Sequence, residues 1–248
     1  MEKKNCTLFC NNSDDKKIEI ALDYLGKNRL LHIDMIEPIR RNTCEIVYAH
    51  NDGVLIHEKN SNSYMITTDS VDLAIKLVEN LPKKDLFVIH QKELFYLMKN
   101  KFNYKNYFEC KQSAYLKNTT PKLSDNIEIK LLVDKDKSIV KENYKSMDED
   151  FDYTSFLIDE NSMWGAFDEN TLMGFIGIHS EGSIGLLEVL PEHRNKGVAQ
   201  ALQNYLISYM LKKEYIPFGQ VIIGNDKSIN LQRKLGLEIS EESVFWLY

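Results

Sequence analysis

The stretch Glu188-Val189-Leu190-Pro191-Glu192-His193-Arg194-Asn195-Lys196-Gly197-Val198-Ala199-Gln200-Ala201 decides how this chain is read. An apolar run, Ile184 to Leu190, leads into it and reads as a buried strand. Pro191 stops that strand. From Gly197 onward apolar residues fall at Val198, Ala201, Leu202, Tyr205, Leu206, Tyr209 and Met210, which is helical spacing. The stretch is therefore a strand, a tight basic turn and a helix start. A helix start carries N–H groups without intrahelical partners and the positive end of the helix dipole, so the turn predicts an anion site. Gly197 has no Cβ and lets a phosphate approach the backbone. Arg194 and Lys196 add positive charge at the mouth.

Working outward, the 248 residues allow one large or two smaller domains, and 43% apolar content is enough for packed cores. No apolar run is long enough to span a bilayer, and the N-terminal apolar stretch is too short and broken for a signal peptide. The four cysteines, Cys6, Cys10, Cys44 and Cys110, lack a second pair at zinc spacing and read as free thiols of a cytoplasmic protein, with no metal. The net charge of −6 is uneven. Residues 1–121 carry 18 Lys and Arg against 16 Asp and Glu, or +2, and residues 122–248 carry 13 against 21, or −8. An acidic motif half argues against nucleic acid as a partner and fits a cationic substrate.

The first half reads as a helix over Lys16–Leu25, a short helix or loop over Asp34–Ile39, and strands Cys44–Ala49, Val54–His57 and Tyr64–Thr68. Asn51-Asp52-Gly53 marks the first hairpin. A helix over Val71–Leu81 with Pro82 beyond it, a strand Leu86–His90, a helix Lys92–Asn100 and an extended segment Tyr104–Tyr115 follow. Lys117-Asn118-Thr119-Thr120-Pro121 is the best linker. The second half reads as strand Ile127–Val133, helices Lys135–Met147 and Tyr153–Ile158, and strands Met163–Phe167 and Leu172–His179. The central stretch, strand Phe218–Ile223, helix Asp226–Leu235 and strand Val244–Tyr248 complete it.

Arg194-x-x-Gly197-x-Ala199, preceded by Val189-x-Pro191-Glu192, resembles the pyrophosphate loop of the GNAT superfamily of acyl-CoA-dependent N-acyltransferases. Asn225-x-x-Ser228-x-x-x-Gln232-x-x-x-Gly236-Leu237 follows in that superfamily's order and distance. The resemblance covers about residues 125–248. It implies an α/β fold in which two GNAT-like domains, 1–121 and 122–248, each carry a mixed, mostly antiparallel sheet flanked by helices. The first half repeats the order of elements, but its third strand enters its helix through Ile66-Thr67-Thr68-Asp69-Ser70, without glycine or cation. Asp69 would repel a pyrophosphate there. The first half thus reads as a degenerate copy without cofactor binding, or as an unrelated α/β domain. The arrangement is also loosely similar to glycine N-acyltransferase relatives.

The resemblance implies that the strand before the turn splays from its neighbour, with the backbone of Val189 and Leu190 against the pantetheine arm of acetyl-CoA. It places Arg194, Asn195, Lys196, Gly197, Val198 and Ala199 at the pyrophosphate. Asn225 and Ser228 would reach the pantetheine or thioester end, Leu231 would pack on it, and Lys234 would lie near the nucleotide phosphate or stand as a solvated lysine. Asn225 also reads as a helix N-cap, and Gly236 as a helix stop. Many members place a tyrosine acid where this chain has Gln232, which leaves the acid unassigned.

Glu188, a carboxylate in an apolar strand, is the base candidate, because burial would raise its pKa. Strand alternation leaves open whether it faces the cleft. His179 and His193 are alternatives that read as exposed. The run Asp148-Glu149-Asp150-x-Asp152 would attract an amine, or is a solvated loop that caps the next helix. The expected function is N-acetyltransferase activity on a small-molecule amine, by a monomer or homodimer. A non-catalytic acyl-CoA-binding module and acetylation of protein lysines or N-termini are the alternatives.

Overall fold

Hairpin and crossover signals in the sequence fix the order of elements. A computed structural model describes residues 12–79, 81, 86–144 and 152–248, with side chains from residue 14. Cys6, Cys10, Pro82 and Asp148-Glu149-Asp150 lie outside these residues. The first half contains α1 (Asn12–Gly26), α2 (Ile33–Arg40), β1 (Cys44–His50), β2 (Gly53–Glu58), β3 (Ser63–Thr68), α3 (Val71–Glu79), β4 (Phe87–Ile89), α4 (Lys92–Lys101) and β5 (Tyr107–Ala114). Asn51-Asp52 makes the β1–β2 turn, where the Tyr48 hydroxyl donates to Asp52 Oδ1 at 2.7 Å.

The second half contains β6 (Glu128–Leu131), a 3-10 turn at Asp134–Asp136, α5 (Lys137–Asn143), α6 (Tyr153–Asp159), β7 (Met163–Asp168), β8 (Thr171–Ile178) and β9 (Ile184–Val189). After them come α7 (Val198–Lys212), β10 (Phe218–Ile222), α8 (Asp226–Lys234) and β11 (Glu238–Leu247). Gly236, at φ +83°, ends α8 as expected. The closing strand begins at Glu238 rather than Val244, because a register shift between Ile239 and Ser243 lets it continue along β5.

Each half supplies antiparallel strands followed by one parallel step, β3 to β4 and β9 to β10. All strands join one sheet in the order β1-β2-β3-β4-β11-β5-β10-β9-β8-β7-β6. The last strand of each half has changed places. β11 sits between β4 and β5, and β5 sits between β11 and β10. The residue 121/122 boundary divides the two series of elements along the chain, but the exchanged strands bind the halves to each other by main-chain hydrogen bonds.

Helices cover both faces. On β11, Val244 and Trp246 pack under α1 and α2, and Phe245 and Leu247 pack under α3 and α4. In the second half, α5 and α6 cover Leu172, Phe175 and Leu186, and α7 covers Met173, Ile176 and Ile184. Buried Glu37 adds a polar joint between the halves. It pairs with Arg40 and Arg41 and accepts the Ile216 N–H at 3.0 Å. Arg41 then lies 4.3 Å from the Tyr215 ring centroid. Cys44 and Cys110 are free and buried, and burial pushes the Cys44 thiol up to about 12. Among the described residues no helix is long and apolar enough to cross a membrane.

His32 and His90 sit buried together under α1 and α2 with ring centroids 5.4 Å apart. Burial, followed by the neighbouring His90, pulls His32 down to about 4. Such a histidine is neutral in the fold and takes up a proton on unfolding, so it withdraws stability as pH falls from about 6.5 to about 4. The loss expected from the two pKa values is about 3 kcal/mol. Urea melts of wild type and His32→Gln at pH 7 and pH 4.5 check it. A drop of equal size in the variant would show that other groups cause it.

Candidate functional site

The strand pair β9–β10 and the turn after it build the site. The two strands meet only at Gly219↔Ile184. The approach there is close, since a Cβ on Gly219 would lie 2.5 Å from the Ile184 carbonyl oxygen. Beyond Ile184 the strands part, and the backbone edge of β9 toward β10 has no ladder partner. This is the splay that the sequence resemblance implied.

A bulge then sets which way β9 side chains point. Gly177 pairs with Gly185 and Phe175 with Glu188, so Leu186 and Leu187 together oppose Ile176. Leu186 takes φ +55° to do so. Ile184, Leu187 and Val189 pack on the α7 side, and Leu186 packs on the α5–α6 side. Glu188 lies opposite Phe175, an α5–α6 core residue, and directly opposed residues share a face. Glu188 therefore lies on the α5–α6 face. It is not deeply buried: its side chain keeps 33% of its surface and meets Arg194 Nη2 at 3.2 Å.

The turn leaves β9 through a 3-10 turn at Pro191–His193. Arg194 folds back, and its Nε donates to the Val189 carbonyl at 3.1 Å. It thus staples the turn to the strand instead of standing free at the mouth. Asn195 at φ +63° and Gly197 at φ +81° then reverse the chain into α7. Gly197 is the N-cap, no side chain caps the helix, and a Cβ there would meet nothing within 4 Å. The first N–H groups of α7 therefore have no side-chain cap, with exposed Gly197 and Gln200 beside them and the helix dipole behind them. His193, read as exposed, is mostly covered, with 13% of its side chain accessible.

Lys196 and Gly197 line a cavity of 450 Å³ together with Lys234 from the last turn of α8 and Lys122, the residue after the linker. Pro121, the last residue of the segment read as a linker, also lines it, with Leu123 and Ser124. Nothing in the sequence marked Lys122, because its place follows from the path of the chain over α7, where its carbonyl accepts from Asn204 Nδ2 at 2.9 Å. Val198 is buried in the α7 core and Ala199 is half-buried. Asn225 caps α8, its Oδ1 accepting the Ser228 N–H at 3.1 Å. Ser228 and Leu231 are half-buried on that helix and lie outside the lysine-lined cavity. Gln232 is buried and accepts from Ser113 Oγ of β5 at 3.2 Å, so the residue standing at the tyrosine position serves the joint between the halves.

Tyr153 was missed. It begins α6, accepts the Ser180 N–H at 3.1 Å and lies 3.2 Å from His179 Nδ1. His179 stacks on it and occupies the space over Gly185, which a Cβ there would take. Burial first, and then the Glu181 charge, push the Tyr153 hydroxyl up to about 12, so it keeps its proton in neutral solution. Its partners stand 26 and 27 residues away in sequence, which no local pattern reveals. Asp152, the described end of the acidic run, caps α6 by accepting the Ser155 N–H at 3.1 Å and pairs with Lys141.

Residues 130–237 match the acetyltransferase (GNAT) family, so a GNAT domain occupies that stretch. No curated protein matches the chain. Among solved structures the chain is similar to a Drosophila protein at 14% identity and a TM-score of 0.67, over 96% of both chains. It is also similar to a GCN5-related N-acetyltransferase-like protein from Streptococcus suis at 14% identity and a TM-score of 0.52, over 92% of this chain and 100% of that one. A GNAT-family acetyltransferase from Colwellia psychrerythraea matches at 11% identity and a TM-score of 0.50, over 92% and 97%. At these identities the likeness is one of fold, and it extends over both halves.

Proposed function

We propose that the chain is an acyl-CoA-dependent N-acyltransferase that moves an acetyl group from acetyl-CoA to the primary amine of a small, cationic molecule. The observation that carries this reading is the fork. β9 leaves β10 after Ile184 and leads, through the turn that follows it, to the N-terminus of α7 at Gly197, which no side chain caps. A slot with an unpaired backbone edge, ending in an anion site ringed by Lys122, Lys196 and Lys234, fits a long thiol ester with a phosphorylated tail. When bound, acetyl-CoA supplies the activated acyl group. In this reading residues 1–121 form a degenerate copy and residues 122–248 perform the transfer.

The chain's own residues then divide the work. The first N–H groups of α7 hold the pyrophosphate, and the open edge of β9 orients the arm. Glu188 takes the proton from the incoming ammonium on the α5–α6 face. Tyr153, on the same side and protonated, gives a proton to the departing thiolate. Holding the reactants in place supplies a large share of the rate. Tyr153→Phe is expected to lower turnover by about a hundredfold with acetyl-CoA affinity unchanged. Steady-state kinetics with unchanged turnover would remove Tyr153 from the reaction.

A single intact turn predicts one acetyl-CoA site per chain. The corresponding β3–β4 pair stays in register over three residue pairs, Tyr64↔Phe87 to Ile66↔Ile89, and offers no splay. Calorimetry on the full chain checks the stoichiometry, and a value near two would overturn the degenerate-copy reading. A non-catalytic acyl-CoA-binding module is the second reading, and the Gln232–Ser113 bond favours it by using the usual acid position for structure. Thiol release from acetyl-CoA with a panel of amines separates the two. Turnover with any small amine supports catalysis, and tight binding without thiol release supports the module.

A further inference from the structure

The end of β9 fixes which of its main-chain groups face the fork. The Leu190 N–H donates to the Met173 carbonyl of β8 at 2.9 Å. Hydrogen-bonded and non-hydrogen-bonded pairs alternate along an antiparallel ladder. At the adjacent pair, Gly174↔Val189, the Val189 main chain therefore points away from β8. The Glu188 carbonyl points the other way, since a Cβ on Gly174 would lie 2.6 Å from its oxygen. The Val189 carbonyl is thus an acceptor on the edge that β10 leaves after Ile184.

Arg194 holds that acceptor. Its Nε donates to the Val189 carbonyl at 3.1 Å, and Nη2 of the same guanidinium donates to Glu188 Oε1 at 3.2 Å. One rigid, planar group thus spans the slot edge of β9 and the carboxylate on the α5–α6 face. The 3-10 turn at Pro191–His193 brings it back to the strand, with the His193 N–H on the Leu190 carbonyl at 2.9 Å. Arg194 keeps 57% of its side-chain surface, so the contact is weak enough to open. Both bonds come from one guanidinium, and they break together. A ligand that takes the Val189 carbonyl also draws the guanidinium off Glu188.

We infer that Arg194 is a positioning residue that couples the two substrates. The amide-bearing arm of the thioester displaces it from Val189, and that displacement uncovers the Glu188 carboxylate for the amine. The coupling rests on the acyltransferase reading and adds an order to it, thioester before amine. S-acetylpantetheine, which has the arm and no phosphate, is the probe, beside acetyl-CoA and inorganic pyrophosphate. NMR of the labelled full-length chain follows the Arg194 Nε–H, assigned by its loss in Arg194→Met, and the Glu188 carboxyl. Acetyl-CoA and S-acetylpantetheine should each move both signals together and saturably, and pyrophosphate should move neither. Arg194→Met, with an unchanged melting temperature, should bind S-acetylpantetheine about three- to fivefold more tightly, because no contact has to open first. A residue that only stapled the turn would lose affinity instead. An Arg194 signal that stays in place while either thioester binds would overturn the coupling and leave the acyltransferase reading standing. So would equal or weaker binding by Arg194→Met, or the same movement with pyrophosphate alone. No saturable shift of the Gly197 amide with acetyl-CoA would overturn both.

Discussion

Gly197→Glu is expected to abolish acetyl-CoA binding while the fold survives. A Cβ at Gly197 meets nothing within 4 Å, so the substitution causes no clash. The left-handed backbone at φ +81° costs a non-glycine residue roughly 1–2 kcal/mol. Part of that is returned by placing a carboxylate at a helix N-terminus. The same carboxylate occupies the N–H groups meant for the pyrophosphate and repels it. Affinity should fall by at least about a hundredfold, near 2.7 kcal/mol. Gly197→Ala keeps the strain without the charge and should lose much less. Calorimetry beside circular dichroism makes the measurement. Affinity within a few-fold of wild type in a folded Gly197→Glu protein would show that the cofactor binds elsewhere.

Glu188→Gln should lower turnover by about two to four orders of magnitude, because the amide keeps the shape and loses the proton acceptor. Acetyl-CoA affinity should stay within a few-fold, since this strand would contact the cofactor through its backbone. Stability should also hold. The Arg194–Glu188 pair is partly exposed at 3.2 Å, and such pairs contribute little. Near-normal turnover across pH would make Glu188 a partner of Arg194 and nothing more.

Much of the fold was legible because its signals are local. Asn51-Asp52-Gly53, the helical spacing after Gly197 and the stop at Gly236 each act through the backbone of a few residues, and the structure places the corresponding elements within a few positions. The strand, turn and helix start around Gly197 were legible for the same reason. Arg194 was not. The sequence shows a cation beside a glycine-bearing turn, and only the folded turn shows it reaching back to the Val189 carbonyl. The exchange of β5 and β11 was also hidden. Each strand suits its own half as well as the other's, and the choice is made by which neighbours it meets in the assembled sheet.

Sequence by itself determined the series of elements, the repeat of that series, and the glycine-bearing basic turn, because each is written in residues close along the chain. Tertiary structure decided what surrounds that turn and which way its strand faces. Lys122 and Lys234 meet Lys196 only because the segment that follows the linker and α8 converge on the start of α7. Glu188 reaches the α5–α6 face only because Leu186 bulges at φ +55° and moves the alternation of β9 by one residue. Strand periodicity is two, so a single extra residue inverts every side chain beyond it, and nothing in the local sequence announces the bulge.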